Sequence, residues 1–367
     1  MSTESKHLVI AAAGTGGHVM PGLAVAAVME ARGWRVSWIG TTTGMESGLV
    51  AKREIPFHGL NFQGVRGKGL LGALKGVWKL FGAYRQSRRL LTELKPDVIF
   101  STGGYVAVPV GLAGRHRRTP LVLMNCDADL LMSTNTLMPF CDSLACGFAG
   151  GARTFAKEKG HTTGNPVRSD IVAIPSPETR MTGRNGPLRL FVFGGSLGAQ
   201  VFNDTMPKIL AAIPPAQRPE IIHQTGKNRD VPVREAYEKL GVKATVLPFI
   251  DDMAERYREC DVVICRAGAT SLSEICAAGV PSILVPLVLK TTSHQMGNAR
   301  YLAERNAALL VPQSDFTVDR MAGMISGLTR EQLLEIAKNA RSIARPDAAE
   351  AVGNLIESAD GKLSSAR

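Results

Sequence analysis

The chain has 367 residues, 45% hydrophobic and 20% charged, too long for one ordinary core and of a length that predicts two domains of ~150–200 residues each. No apolar run approaches the ~18–20 residues of a membrane span, and the start MSTESKHLVIAAAG lacks a secretory pattern, so a cytoplasmic protein is expected. The six cysteines have no CxxC spacing and read as reduced and buried, not as metal ligands. The net charge of +11 is uneven: residues 1–180 hold 21 Lys and Arg against 12 Asp and Glu, and residues 181–367 hold 22 against 20. The excess in the first half points to an anionic surface partner, nucleic acid or an acidic membrane.

His7 to Ala13 is apolar after its histidine and predicts a buried strand. Gly14-Thr15-Gly16-Gly17-His18 is a tight loop, Pro21 to Arg32 a helix and Trp34 to Ile39 a second strand. This is how a doubly wound α/β domain opens. A dinucleotide fingerprint is excluded, because Val19 stands where the third glycine belongs and no acid ends the second strand at Trp38-Ile39-Gly40-Thr41. A backbone cradle for a phosphate or sugar remains.

Between Glu54 and Glu93 there is no acid. Leu70, Leu71, Leu74, Val77, Trp78 and Phe81 recur there at helical spacing, among Arg66, Lys68, Lys75, Lys79, Arg85, Arg88 and Arg89. Such a helix suits the interface of an anionic membrane, or it is a core-facing helix with a solvated basic face. Glycines at 69, 72, 76 and 82 predict that part of it is a loop. Pro96 to Ser101 is a further strand, ending in Thr102-Gly103-Gly104-Tyr105 where open α/β sheets place ligands. Pro120 to Met124 is the next, followed by Asn125-Cys126-Asp127-Ala128-Asp129, whose lone Asp-x-Asp falls short of a metal site. Gly164 to Arg168 reads as a domain exit, and residues 169–187 as a polar linker containing IPSPETRMTGRNGP.

The second half repeats the plan. Leu188 to Phe193 is a strand, Gly194 to Ala199 a glycine loop whose Ser196 hydroxyl can donate a hydrogen bond to a phosphate, and a helix follows from about Gln200. Further strands are expected at 220–224, 245–248, 261–265, 282–287 and 307–311, and helices at 331–344 and 346–358. After Gly268, Ser271-x-x-Glu274 matches a capping box, and Gly279 fits a left-handed helix end. Glu274 either closes that box or accepts the hydroxyls of a ribose. Phe249-Ile250 offers an apolar slot for a base, and His294, Gln295 and Asn298 offer hydrogen bonds to a sugar. The domains are then 1–168, 188–345 after the linker, and a terminal helix within 346–367 that packs back on the first domain. The fold class is α/β: two facing, Rossmann-like doubly wound domains with an interdomain cleft, fitted to a nucleotide-sugar.

These motifs carry a resemblance over nearly the whole chain: GTGGHVMPGLA at 14–24, VRGKG at 65–69, TGGY at 102–105, GNPVR at 164–168, GGSLGA at 194–199, FIDDM at 249–253 and RAGATSLSEI at 266–275, with HQ and NA near 295. The sequence resembles the MurG family of bacterial transferases, which add N-acetylglucosamine from UDP-N-acetylglucosamine to undecaprenyl-linked muramyl-pentapeptide (lipid I) to give lipid II. The resemblance implies the two-domain GT-B fold, inversion at the sugar, no cofactor and no essential metal. It implies donor contacts from Thr15, Gly16, Gly17, Asp127, Arg168, Ser196, Ile250, Ala269, Thr270, Ser271, Leu272, Ser273, Glu274 and Gln295. It also implies an acceptor and membrane surface, assigned here to Arg66, Lys68, Leu74, Trp78, Phe81, Gly103, Gly104 and Tyr105. The expected setting is peripheral, on the anionic inner leaflet at the cytoplasmic face of the membrane. Other cell-wall and division proteins are expected partners, and nucleic acid is not.

The chain departs from the family's pattern at Met124-Asn125-Cys126-Asp127, where many members carry His-Glu-Gln-Asn. Asn125 cannot act as a base there. Ala13 replaces a loop glycine, and Thr292-Ser293 stand where acids often precede His-Gln. His18 is the first choice of general base, or else a loop-stabilising hydrogen-bonding residue; Asp127 is the second choice. Other GT-B enzymes would share the second half and differ in the first. A basic nucleic-acid-binding protein is disfavoured by 5% aromatic content and by the lack of recognition motifs.

Overall fold

The computed structural model describes residues 5–14, 16–62, 69–195, 197–288 and 294–364, with 69–75 and 362–364 as backbone only. The chain divides into two units, Met1–Pro166 with Arg345–Arg367, and Val167–Ala344. Unit 1 has strands β1 (His7–Ala12), β2 (Arg35–Thr41), β3 (Phe57–Leu60), β4 (Val98–Gly103), β5 (Leu121–Asn125), β6 (Ser143–Cys146) and β7 (Gly160–Thr162). They form one parallel sheet in the order β3-β2-β1-β4-β5-β6-β7, with Leu8 opposite Val36 on one side and Val98 on the other. Its helices are α1 (Gly16–Ala31), α2 (Glu46–Ala51), α3 (Gly69–Leu94), α4 (Ala107–Arg117), α5 (Met132–Leu137) and α6 (Gly151–Phe155). Parallel strands need crossover helices, which bury the central strands on both faces. Accordingly β1 and β4 are buried at every residue, including the polar His7, Ser101 and Thr102.

Unit 2 repeats this with α7 (Ser169–Val172), α8 (Pro177–Met181), α9 (Gln200–Ala212), α10 (Asp230–Lys239), α11 (Met253–Glu259), α12 (Ala269–Ala278), α13 (His294–Ala303), α14 (Val318–Ser326) and α15 (Arg330–Ile343). Its sheet runs β10 (Thr245–Leu247), β9 (Glu220–Gln224), β8 (Arg189–Phe193), β11 (Val262–Cys265), β12 (Ser282–Leu284), β13 (Leu309–Leu310). In each sheet the chain reverses its direction of winding beside the first strand, between β1 and β4 and between β8 and β11. Doubly wound folds bind ligands outside the carboxyl ends of strands at such switch points. That selects the 13–18 and 102–105 loops in unit 1, and the 194–199 and 266–270 loops in unit 2.

Two expectations are corrected, and three strands are added. Residues 169–187 are not a free linker but part of unit 2. Arg180 is buried and donates to the carbonyls of Cys260 (3.0 Å) and Gly279 (2.7 Å), while Arg184 pairs with the fully buried Asp261 at 2.7 Å. Polar composition had suggested solvent, whereas these arginines satisfy carbonyls at helix and strand ends. Next, α3 is one continuous helix from Gly69 to Leu94 despite its glycines, because tertiary packing outweighs propensity. Ala83 and Leu91 are buried, with Leu80, Tyr84 and Leu90 packed beside them. Finally, β3, β6 and β7 had no clear sequence signal, being short and carrying Gly, Ser or Thr.

The terminal helix α16 (Ala348–Ser364) belongs to unit 1. Val352 and Ile356 are fully buried, and Arg32 at the end of α1 reaches Glu357 at 2.8 Å and the Asn354 amide oxygen at 2.9 Å.

Candidate active site

In unit 2, the glycine loop after β8 is held against the end of β9. Gly198 has φ +70°, and a Cβ there would lie 1.9 Å from the Thr225 carbonyl oxygen. Only glycine permits that approach, so Gly198 fixes the end of the loop, just before α9 begins, against the chain that leaves β9. Beside it, α12 begins at Ala269 with Gly268 as a residue that offers no side-chain cap. The first-turn amides of Ala269, Thr270 and Ser271 precede the first helical bond, Leu272 N–H to Gly268 O at 3.0 Å. The Thr270 hydroxyl is buried without a hydrogen-bond partner among the described residues. Uncapped amides and a free hydroxyl together suit a phosphate.

The expected capping box does not form. The Ser273 hydroxyl bonds back to Ala269 O at 2.9 Å, and Glu274 faces a different set of groups. Its carboxylate pairs with Arg168 at 3.4 Å and accepts from the Tyr257 hydroxyl at 3.4 Å. Burial pushes its carboxyl up to about 7, against the opposing pull of Arg168 and Tyr257. Arg168 stands at the N-cap of α7 without a side-chain cap hydrogen bond, and α7 packs on α11 and α12. A half-exposed cation beside a poised carboxylate can release it to hydroxyl donors.

Gln295 differs from expectation. Its side-chain oxygen accepts from Leu287 N–H (2.9 Å) and Ala267 N–H (3.2 Å), so only its amide nitrogen is left for a sugar. Asn298 is fully buried and donates to Ala267 O at 3.0 Å, so it supports the 265–269 loop instead of meeting ligand. Leu272 is fully buried and lends only its backbone. Ile250 is buried, whereas Phe249 is 47% exposed; the aromatic half of that pair is the one able to meet a base. Ser196 lies outside the described residues, as does Thr292-Ser293. The sequence reading missed Tyr257, a fully buried aromatic on the otherwise charged α11 (MAERYRE), where its isolation was the available signal. It also missed Arg266, which donates to Val285 O at 3.0 Å and lies over the Phe202 ring, tying the α12 loop to α9.

In unit 1, Gly16 and Gly17 begin α1 and His18 lies in its first turn. The His18 Nδ1 is 2.9 Å from Thr102 O, and the Thr102 hydroxyl donates back to His18 O at 2.6 Å. A carbonyl can only accept, so Nδ1 carries the proton and Nε2 the basic lone pair. Gly103 (φ +105°) and Gly104 (φ +83°) make the approach possible, since a Cβ at Gly104 would sit 1.9 Å from Ala13 O. Tyr105 is 40% exposed beside them. Asn125 is fully buried, and its amide donates to Asp127 O (2.7 Å) and Asp129 O (2.9 Å) while accepting from Leu131 N–H (2.9 Å). It shapes the loop that carries Asp127, which a carboxylate could not do because it has no donors. On α3, Trp78 is 70% and Phe81 50% exposed, so the aromatics face away from the core that the same helix packs on. Leu74 lies on that helix; Arg66, Lys68 and Thr15 lie outside the described residues. Among the described residues, no three His, Cys, Asp or Glu side chains gather to hold a metal.

Both units match one family. The glycosyltransferase family 28 N-terminal domain matches residues 8–146, and the family 28 C-terminal domain matches residues 189–352. The chain belongs to glycosyltransferase family 28. Among relatives of this family 28 enzyme is the UDP-N-acetylglucosamine--N-acetylmuramyl-(pentapeptide) pyrophosphoryl-undecaprenol N-acetylglucosamine transferase of Chromobacterium violaceum, 49% identical over 98% of this chain and 99% of that protein. The transferase of the same description from Methylibium petroleiphilum is 50% identical over 96% of this chain and 97% of its own. The crystal structure of Acinetobacter baumannii MurG matches with a TM-score of 0.82 at 34% identity, over 96% of this chain and 99% of that one. The first match covers β1 to β6 with the 13–18 and 102–105 loops, and the second covers the whole second sheet with the 194–199 and 266–270 loops.

Proposed function

We propose that this family 28 glycosyltransferase transfers N-acetylglucosamine from UDP-N-acetylglucosamine to the 4-hydroxyl of the muramyl sugar of lipid I, giving lipid II for peptidoglycan. The observation that carries the reading is near-full-length identity of 49–50% to transferases described by that reaction. Unit 2 binds the donor: the Ala269–Ser271 amides, the Thr270 hydroxyl and the Gly194–Ala199 loop take the diphosphate, Glu274 the ribose, and Gln295 the sugar through its amide nitrogen. Unit 1 binds the acceptor and supplies the base.

The step is a single displacement with inversion. The acceptor oxygen attacks the anomeric carbon, the bond from that carbon to the UDP oxygen breaks, and the proton of the hydroxyl passes to His18 Nε2. The Thr102 carbonyl fixes the productive tautomer and stabilises the imidazolium that results. Helix-start amides stabilise the charge gathering on the departing diphosphate. Asp127 is the second candidate for the base.

A polyprenyl acceptor lives in the bilayer, so the enzyme works as a peripheral protein at the cytoplasmic face. The exposed Val77, Trp78 and Phe81, with exposed Lys79, Arg85, Arg88 and Arg89 on the same helix, support docking on the anionic leaflet. Contact with other proteins of cell-wall synthesis and division belongs to the same proposal. The test is transfer of labelled sugar to a short-chain lipid I analogue, with UDP-N-acetylgalactosamine and UDP-glucose as control donors. Transfer from UDP-N-acetylglucosamine alone supports the reading. UDP binding without transfer to this acceptor refutes it.

A further inference from the structure

A dinucleotide site places an acid at the end of the second strand, facing outward to a ribose. Here the strand ends at Thr41 without one, and the acid comes five residues later, on α2, turned inward. Glu46 is fully buried. Its carboxylate accepts from the Thr41 amide (2.7 Å) and the Thr41 hydroxyl (2.6 Å), and from the Gly14 amide at 3.4 Å. No cation pairs with it among the described residues. A buried carboxylate costs several kcal/mol unless its lone pairs are met, and this one is met by the backbone of the catalytic loop and the strand beside it.

The surroundings are cut to that carboxylate. A Cβ on Gly44 would fall 2.1 Å from Glu46 Oε2, and one on Gly40 would fall 2.8 Å from its Cγ. Gly14 itself has φ +110°, and a Cβ there would lie 4.0 Å from the His18 ring. The chain thus runs from Glu46 through the Gly14 amide to the backbone directly under His18, whose other face is fixed by Thr102. We infer that Glu46 is a positioning residue that sets the Gly14–His18 loop for catalysis, without touching substrate. The inference rests on the proposed transfer reaction for its catalytic consequence, and on geometry alone for the loop.

Two variants reach the same contact from different sides. Glu46→Gln keeps the size but turns an amide NH2 toward groups that already donate. Gly44→Ala leaves the carboxylate chemically intact and forces it out of the place from which it holds Thr41 and Gly14. Both are expected to lower kcat at least tenfold, as an ångström-scale misplacement does, with UDP affinity within threefold of wild type. Both should also speed amide hydrogen exchange at residues 14–18 in the ligand-free protein. Val98→Ala, at the amino end of β4, serves as the control for lost stability: its unfolding midpoint falls while kcat stays within twofold. Wild-type exchange at 14–18 together with near-normal kcat in either folded variant overturns the inference. So does a kcat loss in Val98→Ala that matches theirs. If wild type transfers no sugar, the proposed function fails, and the exchange experiment still decides whether Glu46 orders the loop.

Discussion

Glu274 offers the most quantitative test, because its proton equilibrium is tied to its surroundings. Burial raises its carboxyl from 4.5 to about 7 in the folded protein. Between those values the folded state holds a proton that the unfolded state has released, so stability falls as pH rises through the window. At about 1.4 kcal/mol per pH unit, the cost reaches about 3 kcal/mol above pH 7 and is under about 1 kcal/mol at pH 5. Glu274→Gln removes the titration. It also loses the pair with Arg168, whose side chain is 35% exposed; that pair forms only with the ionised carboxylate, and its pull is already contained in the value of about 7. The stability of Glu274→Gln relative to wild type should therefore grow by about 2 kcal/mol from pH 5 to pH 8. For a unit of this size that is a Tm gap widening by about 4–8 °C. Thermal unfolding of both proteins at pH 5, 6, 7 and 8 measures it. A gap constant within 1 °C would refute the claim that burial controls this carboxylate. If Glu274 also accepts ribose hydroxyls, UDP affinity in wild type rises across the same window, and Glu274→Gln binds UDP weakly at every pH.

His18→Ala should reduce kcat by about 10²–10⁴ with UDP affinity little changed; a loss under tenfold in a transfer assay removes His18 as the base. Binding to vesicles should require anionic lipid, weaken as salt rises and fall further in Trp78→Ala with Phe81→Ala, as cosedimentation would register. Equal binding to neutral vesicles would speak against the docking face. Asp261→Ala strips the fully buried partner of Arg184 and Arg330 and should cost about 3–5 kcal/mol, read by chemical unfolding.

Much of the fold was legible in the chain. Runs of consecutive apolar residues at Leu8–Ala12, Val98–Phe100, Leu121–Met124, Leu190–Phe193 and Val262–Cys265 marked β1, β4, β5, β8 and β11, because strands covered on both faces need no polar alternation. The glycine loops were legible too, since Gly14, Gly103, Gly104 and Gly198 occupy backbone conformations closed to other residues. Less legible were short edge strands such as β7, whose Gly-His-Thr carries no period, and the 169–187 segment, whose arginines looked solvated and are spent on backbone carbonyls.

Local pattern, then, determined that there are two doubly wound units and where their ligand-facing loops lie, because strand burial and glycine conformation are properties of a few neighbouring residues. What each polar side chain does in those loops was decided only by the tertiary structure. Ser271-x-x-Glu274 has the spacing of a capping box, yet Glu274 meets Tyr257, 17 residues away, and Arg168. Gln295 and Asn298 hold the backbone of a loop about 30 residues earlier in the chain. Glu46 reaches back to Gly14, 32 residues before it. A buried polar group bonds to whatever the fold brings within about 3 Å, and no spacing along the chain specifies that neighbour.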